Sequence, residues 1–244
     1  MTDQRKPFKS PPKRYHPRGV TILYEDHDVL VVEKASGILT VSTDRPRENT
    51  VYFLLNEYVR KGDPKSRKQV FVVHRLDKDT SGVLVFAKTL IAKRFLQDEW
   101  AGFKKTYYAV VHGHPAEKEG IITSYLAENR AYNMYSVSDP SKGKLAKTGY
   151  KVLKENKRYS LLEINLLTGR KNQIRVHFAE KNHHVVGDKL YGLKKERGAK
   201  RLALHAGSLT FQHPHSKEEM TFSTKIPSYF RTLLQSADES HASD

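Results

Sequence analysis

Two apolar, β-branched runs, 70–73 and 83–86, enclose His74-Arg75-Leu76-Asp77-Lys78-Asp79-Thr80-Ser81-Gly82. Polar residues at the mouth of a sheet are where reactive side chains are displayed, and Gly82 permits a tight return into the second run. Asp77 and Asp79, two residues apart, point to opposite sides of an extended chain, so only one can face a given cleft. Asp79, Thr80 and Ser81 suit turn capping. Whichever of the two carboxylates faces a cleft could serve there as nucleophile or general base.

Two other chemistries fit parts of the chain. Asp77-Lys78-Asp79-Thr80 has the spacing of the DxDxT of haloacid-dehalogenase-type phosphatases, which need further acids for magnesium. The best candidate, Gly187-Asp188, has no second acid near it. The pairs His112/His114, His183/His184 and His213/His215 could contribute to a metal site, but no carboxylate sits at ligand spacing beside them. The reading therefore includes no metal. Without cysteine, a thiolate zinc site or disulfide frame is unavailable.

The elements that position these residues can bury one substantial core, or two small ones that share a cleft, in a chain of 244 residues. Residues 1–18, rich in Pro, Lys and Arg, predict a disordered basic tail, 19–236 a catalytic domain, and 237–244 a frayed acidic end. Runs 20–24 and 29–32 flank a turn at Glu25-Asp26-His27-Asp28. Val51, Leu54, Leu55, Tyr58 and Val59 share a helical face, with Asn49 or Thr50 as cap and Gly62 as stop. Thr89 caps a helix to about residue 101. Residues 106–111 read as β, 130–144 as a loop, 159–167 as a strand with Leu162, Ile164 and Leu166 on one face, and 171–181 as a helix. Stretches 201–211 and 220–222 add strands, and 229–234 a last helix. Strands outnumber helices and often adjoin one another. This predicts an α+β fold with a mostly antiparallel or mixed central β-sheet flanked by helices and loops, and an active-site cleft across the sheet.

Net charge narrows the class of partner. Lys plus Arg number 43 against 27 Asp plus Glu, a net +16, and the excess runs through the body as well as the tail. Such a field favours a polyanion, where each neutralised phosphate releases counterions. Thirteen tyrosines among these cations suit unstacked bases. A polyanion with unstacked bases is thus the favoured partner, against a merely solvated basic surface. No apolar run approaches the roughly 20 residues of a membrane span, and the N-terminus has no secretory pattern, so membrane attachment is not expected. A cytoplasmic monomer is the simplest reading.

The motif His74-Arg75-Leu76-Asp77-x-x-Thr80-Ser81-Gly82, followed by Ala87-Lys88, resembles the signature of the RluA-like family of pseudouridine synthases. The opening run from Ile22 to Lys34 resembles that family's first hairpin. Lys105-Thr106-Tyr107-x-Ala109-x-Val111-x-Gly113 is similar to its tyrosine motif, and Leu167-Thr168-Gly169-Arg170-x-x-Gln173-Ile174-Arg175-Val176-His177 to its third motif. Val186-Gly187-Asp188-x-x-Tyr191-Gly192 and Leu204-His205-Ala206 through His213-Pro214 follow in order, so the similarity covers about residues 20–228. Ala35 stands where the family usually has proline, Asn172 where it often has histidine, and Asn182-His183-His184 where it often has glycine-histidine-proline. Only about eighteen residues precede the first strand, too few for the S4-type RNA-binding domain that many relatives carry, so a form without that domain is expected.

The resemblance implies an RNA pseudouridine synthase, acting on ribosomal or transfer RNA. Its reaction breaks the C1′–N1 bond of uridine and forms a C1′–C5 bond to the same base, without redox change, net hydrolysis or group donor, so no cofactor is expected. One ionised carboxylate either attacks C1′ or removes the 2′ proton, and sequence leaves both routes open. The resemblance assigns that carboxylate to Asp77, with Tyr107 against the base and Arg175 as the cation that keeps the carboxylate charged once RNA closes the site. Arg75 resembles the residue that enters the stack as uridine is extruded. Arg170 and Lys105 complete the implied RNA contacts. The competing class is a non-catalytic RNA-binding or ribosome-assembly factor on the same fold.

Overall fold

A computed structural model describes residues 8–42, 47–193, 199 and 201–236. The chain divides into two compact units: unit 1, Met1–Phe103 with Leu209–Thr224, and unit 2, Lys104–Ser208 with Lys225–Asp244.

Unit 1 begins with the expected hairpin. Strands β1 (Val20–Glu25) and β2 (Val29–Lys34) pair antiparallel, and Asp26 Oδ1 closes the turn by accepting the N–H groups of Asp28 and Val29, each at 2.8 Å. Helix α1 (Val51–Arg60) starts where Thr50 Oγ1 accepts the Phe53 N–H and stops at Lys61, in the left-handed region at φ 54°. Strands β3 (Phe71–Val72) and β4 (Ser81–Ala87) bracket the polar motif. They pair with each other, and β4 also pairs with β2 in the register Lys34↔Gly82 to Val29↔Ala87. Helix α2 (Leu90–Asp98), capped by Thr89, runs on as a 3-10 turn to Gly102. Val29, Val31, Val83, Val85, Leu96 and Phe103 form the core.

Part of the segment expected to be disordered packs on β1. The Phe8 ring lies 5.5 Å from that of Tyr24, and Ser10 Oγ donates to Ile22 O at 2.7 Å. Lys13–Tyr15 form a 3-10 turn. Low aliphatic content hid this, because the contacts are one ring and hydrogen bonds to a strand backbone. Residues 1–7 and the expected acidic end 237–244 lie outside the described residues.

Unit 2 is built on β5 (Lys104–His112), β6 (Glu119–Glu128), β7 (Met134–Val137), β8 (Lys144–Glu155) and β9 (Tyr159–Leu166), with helices α3 (Gln173–Glu180) and α4 (Ser228–Ser236). The strands pair antiparallel in the order β5-β9-β8-β6-β7. As its alternation requires, β9 turns Leu162 and Ile164 towards Ile174 and Phe178 of α3, and Tyr159 and Leu161 towards Phe230 and Leu233 of α4. Strand β10 (Leu204–Gln212) starts in unit 2 and ends in unit 1, where β11 (Glu219–Ser223) pairs with it.

The expected loop 130–144 contains β7, paired with β6 from Tyr125↔Val137 to Glu128↔Met134. Four residues beside Asp139-Pro140 carry too little alternation to reveal a strand. Strands β6 and β8 were also not legible, since β6 leaves every second residue from Glu119 to Thr123 exposed and β8 is rich in lysine. Among the described residues no helix is long and apolar enough to cross a membrane.

Candidate active site

Asp77 sits half-buried in the connection from β3 to β4, and the backbone around it is held from below. Thr40 Oγ1 donates to Leu76 O at 2.9 Å and accepts the Leu76 N–H at 3.1 Å, so one hydroxyl fixes both backbone polar groups of the residue before Asp77. Lys34, at the end of β2 and fully buried, directs its ammonium to three carbonyl oxygens: Ala35 at 2.9 Å, Ile38 at 2.8 Å and Lys78 at 2.9 Å. Gly37 N–H also donates to Lys78 O, and Ser36 Oγ to Asp79 O. Burial lowers the Lys34 pKa to about 8, against the opposing pull of the Asp79 and Asp77 carboxylates. A buried cation with three carbonyl acceptors satisfies the rule that interior charges must be hydrogen-bonded.

The neighbours of Asp77 divide by role. His74 Nε2 accepts the Val85 N–H at 3.2 Å, and its ring stacks on Trp100 at 4.4 Å, which makes His74 a bracket for the motif. Leu76 points into the core while Arg75 is exposed. Thr80 N–H closes a turn onto Asp77 O at 3.2 Å, and Gly82 adopts φ 120°, where a side chain would be strained.

In unit 2, Tyr107 lies on β5 opposite Ile164 and packs beside the core of Ala109, Val111 and Ile164. Arg175, on the first turn of α3, meets Asp188 through two parallel bonds, Nε to Oδ2 and Nη2 to Oδ1, both 2.7 Å. Its Nη1 donates to Asn172 Oδ1 at 3.1 Å, and its guanidinium carbon lies 5.2 Å from the centre of the Tyr191 ring. Asn172, at φ 52°, also donates through Nδ2 to the Tyr191 hydroxyl. The start of α3 is closed by Gln173, whose Oε1 accepts from Arg170 N–H and Thr168 Oγ1. Burial acts to raise the Asp188 pKa, but the hydrogen bond and charge of Arg175, with the N–H groups of Tyr191 and Leu190, bring it below the ordinary carboxylate value.

The remaining expected RNA contacts differ from one another. Arg170 is exposed and anchored by Nε to Leu145 O at 3.0 Å. Lys105 is only 6% exposed, and burial lowers its pKa. Its place next to Lys104 on an alternating strand explains the difference, because one of two adjacent lysines must turn inward. Asp188, the acid that a magnesium phosphatase would need, is committed to Arg175. His213 pairs with Asp26 at 2.8 Å, and among the described residues no three His, Asp or Glu side chains converge as a metal site. Reasoning from sequence missed Lys34 and Thr40 as positioning groups, and marked Asn172 only as a departure from the family motif. A lysine closing an apolar strand was the one available signal.

Comparison with known proteins places this geometry in a family. A model of the RNA pseudouridylate synthase family matches residues 28–180. An uncharacterized RNA pseudouridine synthase of Mycoplasma genitalium is 35% identical over 219 residues, covering 88% of this chain and 69% of the relative. Ribosomal large subunit pseudouridine synthase D of Zymomonas mobilis is 35% identical over 228 residues, covering 88% and 71%. The solved structure of human RNA pseudouridylate synthase domain containing 1 superposes with a TM-score of 0.71 at 26% identity, over 94% of this chain and 90% of that one. The fold is that of the pseudouridine synthases, α+β with flanking helices. The chain belongs to the RNA pseudouridylate synthase family, of RluA type, and is an isomerase that converts uridine in RNA to pseudouridine.

Proposed function

We propose that this synthase modifies ribosomal RNA and that Asp77 carries the reaction. The support for Asp77 is the clamp beneath it: the buried Lys34 and Thr40 fix the backbone on both sides of a half-buried carboxylate. A fixed backbone holds a reacting group in near-attack geometry, which accounts for a large part of a catalysed rate. Asp77 attacks C1′ or takes the 2′ proton as the C1′–N1 bond breaks. The freed base turns, C1′–C5 forms as the Asp77–C1′ bond breaks or the 2′ proton returns from Asp77, C5 loses its proton and N1 gains one, so atoms and electrons balance without any co-reactant. Tyr107 packs on the turning base and accepts the C5 proton directly or through water. Arg175, locked by Asp188 and Asn172, is the residue to which the family resemblance assigns the cation that keeps the reacting carboxylate charged. The exposed Arg75 fills the stack as uridine leaves it.

Ribosomal RNA is the preferred substrate because a relative sharing 35% identity over 88% of this chain is named for the large ribosomal subunit. A cysteine-free chain acting as a monomer in the cytoplasm fits that substrate. Tritium release from RNA labelled at uridine C5 tests the chemistry, and mapping pseudouridine in ribosomal RNA from cells lacking the gene tests the substrate. Loss of one or a few ribosomal sites is expected. An unchanged ribosomal map with altered transfer RNA would overturn the substrate assignment, no release from any RNA would overturn the synthase reading, and undiminished release by Asp77→Asn would overturn the assignment of Asp77.

A further inference from the structure

The turn between β6 and β7 holds an aromatic ring out to solvent at a conformational cost. Tyr132 is 74% exposed and adopts φ 61°, a left-handed conformation that glycine or asparagine accepts more readily than a tyrosine. The turn is built to keep it there. Asn129 Oδ1 accepts the N–H groups of Ala131 and Asn133 at 2.9 and 3.0 Å, Asn129 N–H donates to Asn133 O, and Tyr132 N–H donates to Asn129 O. Lys171 Nζ donates to Tyr132 O at 2.9 Å, lies 5.8 Å from the ring centre and also pairs with Glu128. The exposed Arg130 and Arg170 add positive charge along the same stretch of unit 2.

This turn is tied to the arginine of the candidate site within the same unit. Met134 N–H, two residues past Tyr132, donates to the Tyr191 hydroxyl at 2.9 Å, and the Tyr191 ring lies against Arg175. Lys171 immediately precedes Asn172, which holds Arg175. We propose that Tyr132 is a stacking platform for an unpaired nucleobase of the substrate RNA, a nucleotide close to the target uridine. An exposed π-face with Lys171 beside it and exposed arginines at positions 130 and 170 suits a base joined to phosphates: the ring takes the base and the cations take the backbone. A folded duplex has no free base face to offer, so the platform selects single-stranded or looped RNA. The proposal rests on the reading of the chain as an RNA pseudouridine synthase.

The test compares affinity for a single-stranded RNA of twelve uridines with affinity for a twelve-unit ribose-phosphate strand lacking bases. Tyr132→Ala should weaken the uridine strand about tenfold, the lower range of one base–aromatic stack, and leave the abasic strand unchanged. Tyr132→Phe should keep wild-type affinity. Tyr132→Gly, which relieves the left-handed strain, should raise the melting temperature and still lose the uridine strand, separating stacking from folding. Equal affinity of wild type and Tyr132→Ala for the uridine strand would overturn the proposal, as would equal losses on both strands. Failure of the synthase reading would show instead as absent tritium release by the wild-type protein, whatever Tyr132 does to binding.

Discussion

The ammonium of Lys34 donates to the carbonyl oxygen of Lys78 at 2.9 Å, so the residue that follows Asp77 is anchored by a charge from the interior of unit 1. Two further carbonyls share that ammonium. Lys34→Met preserves length but leaves these buried oxygens without it, at a cost of about 1–3 kcal/mol for each group that finds no other donor. The variant should unfold at lower urea and release tritium at least about 100-fold more slowly, the size of effect expected from a misplacement of about 1 Å. Burial puts the Lys34 pKa at about 8, with Asp79 and Asp77 opposing, whereas the unfolded chain holds that proton to about 10.4. From pH 8 upward the unfolded state binds more protons at this position, so this residue's contribution to stability rises with pH, by up to roughly 2 kcal/mol at pH 9.5. Urea titrations of wild type and Lys34→Met at pH 7 and 9.5 should differ by that increment, while wild-type turnover falls above pH 8 as the anchor loses its charge.

Asp77→Asn keeps the shape of the side chain and its place in the clamp while removing the nucleophile or base. Tritium release should fall by at least ~10⁴-fold, about 5.5 kcal/mol of barrier, with the circular dichroism spectrum and RNA affinity retained. A variant that turned over near the wild-type rate would take Asp77 out of the chemistry.

The contrast between Asp77 and Lys34 shows what the sequence could reveal. Asp77 stood out because a polar run interrupts two apolar strands, a local pattern. Lys34 and Thr40 reach its loop from 36 to 44 residues away, and neither position announces its hydrogen bonds. Strands β1, β2, β4, β5 and β9 were legible because burial on one or both faces imposes apolar periodicity. Strands β6 and β7 carry few fully buried side chains, so nothing in their composition distinguishes them from loop. Of the implied site residues, Arg170 appears at the surface. Lys105 does not, because alternation along β5 decides which of two adjacent lysines turns inward.

Asp188→Asn tests the fork that holds Arg175. Side-chain exposures of 12% for Arg175 and 1% for Asp188 make this a buried pair, and removing one charge from such a pair costs about 3 kcal/mol or more. The urea midpoint should drop accordingly, and tritium release should fall with it because Arg175 loses its orientation. Arg175→Lys should not restore activity, since an ammonium cannot make the bidentate contact. The folded Asp188 pKa lies below its ordinary value: burial works against this, but Arg175 and two backbone N–H groups outweigh it. Its stabilising contribution is therefore constant above about pH 5 and disappears as pH falls through the folded value, below about 4. Wild type and Asp188→Asn should differ by the same amount from pH 5 to 9 and converge in acid.

His177 sets a second acid limit, at a higher pH. Its ring is fully buried, with Nδ1 2.9 Å from Thr148 Oγ1 and Nε2 2.9 Å from Ser124 Oγ. Each hydroxyl can donate or accept, so a neutral imidazole is satisfied on both sides. Burial lowers its pKa to about 4, with Glu180 pulling upward and Lys181 downward. The unfolded ring takes up its proton near pH 6.5, so between 6.5 and 4 the unfolded state binds more protons and stability falls as pH falls. The full window is worth roughly 3 kcal/mol for this residue, and the similarly buried His205, also lowered to about 4, adds its own share. Wild type should therefore lose urea resistance from pH 7 to 4.5, before Asp188 protonates. His177→Gln can keep both hydroxyl contacts without titrating, so it should be less steep over that window while starting somewhat lower at pH 7. Because His177 joins β6 and β8 to the helix that carries Arg175, wild-type tritium release should decline over the same pH interval. If His177→Gln lost stability on acidification as steeply as wild type, the buried neutral imidazole would not be the group responsible.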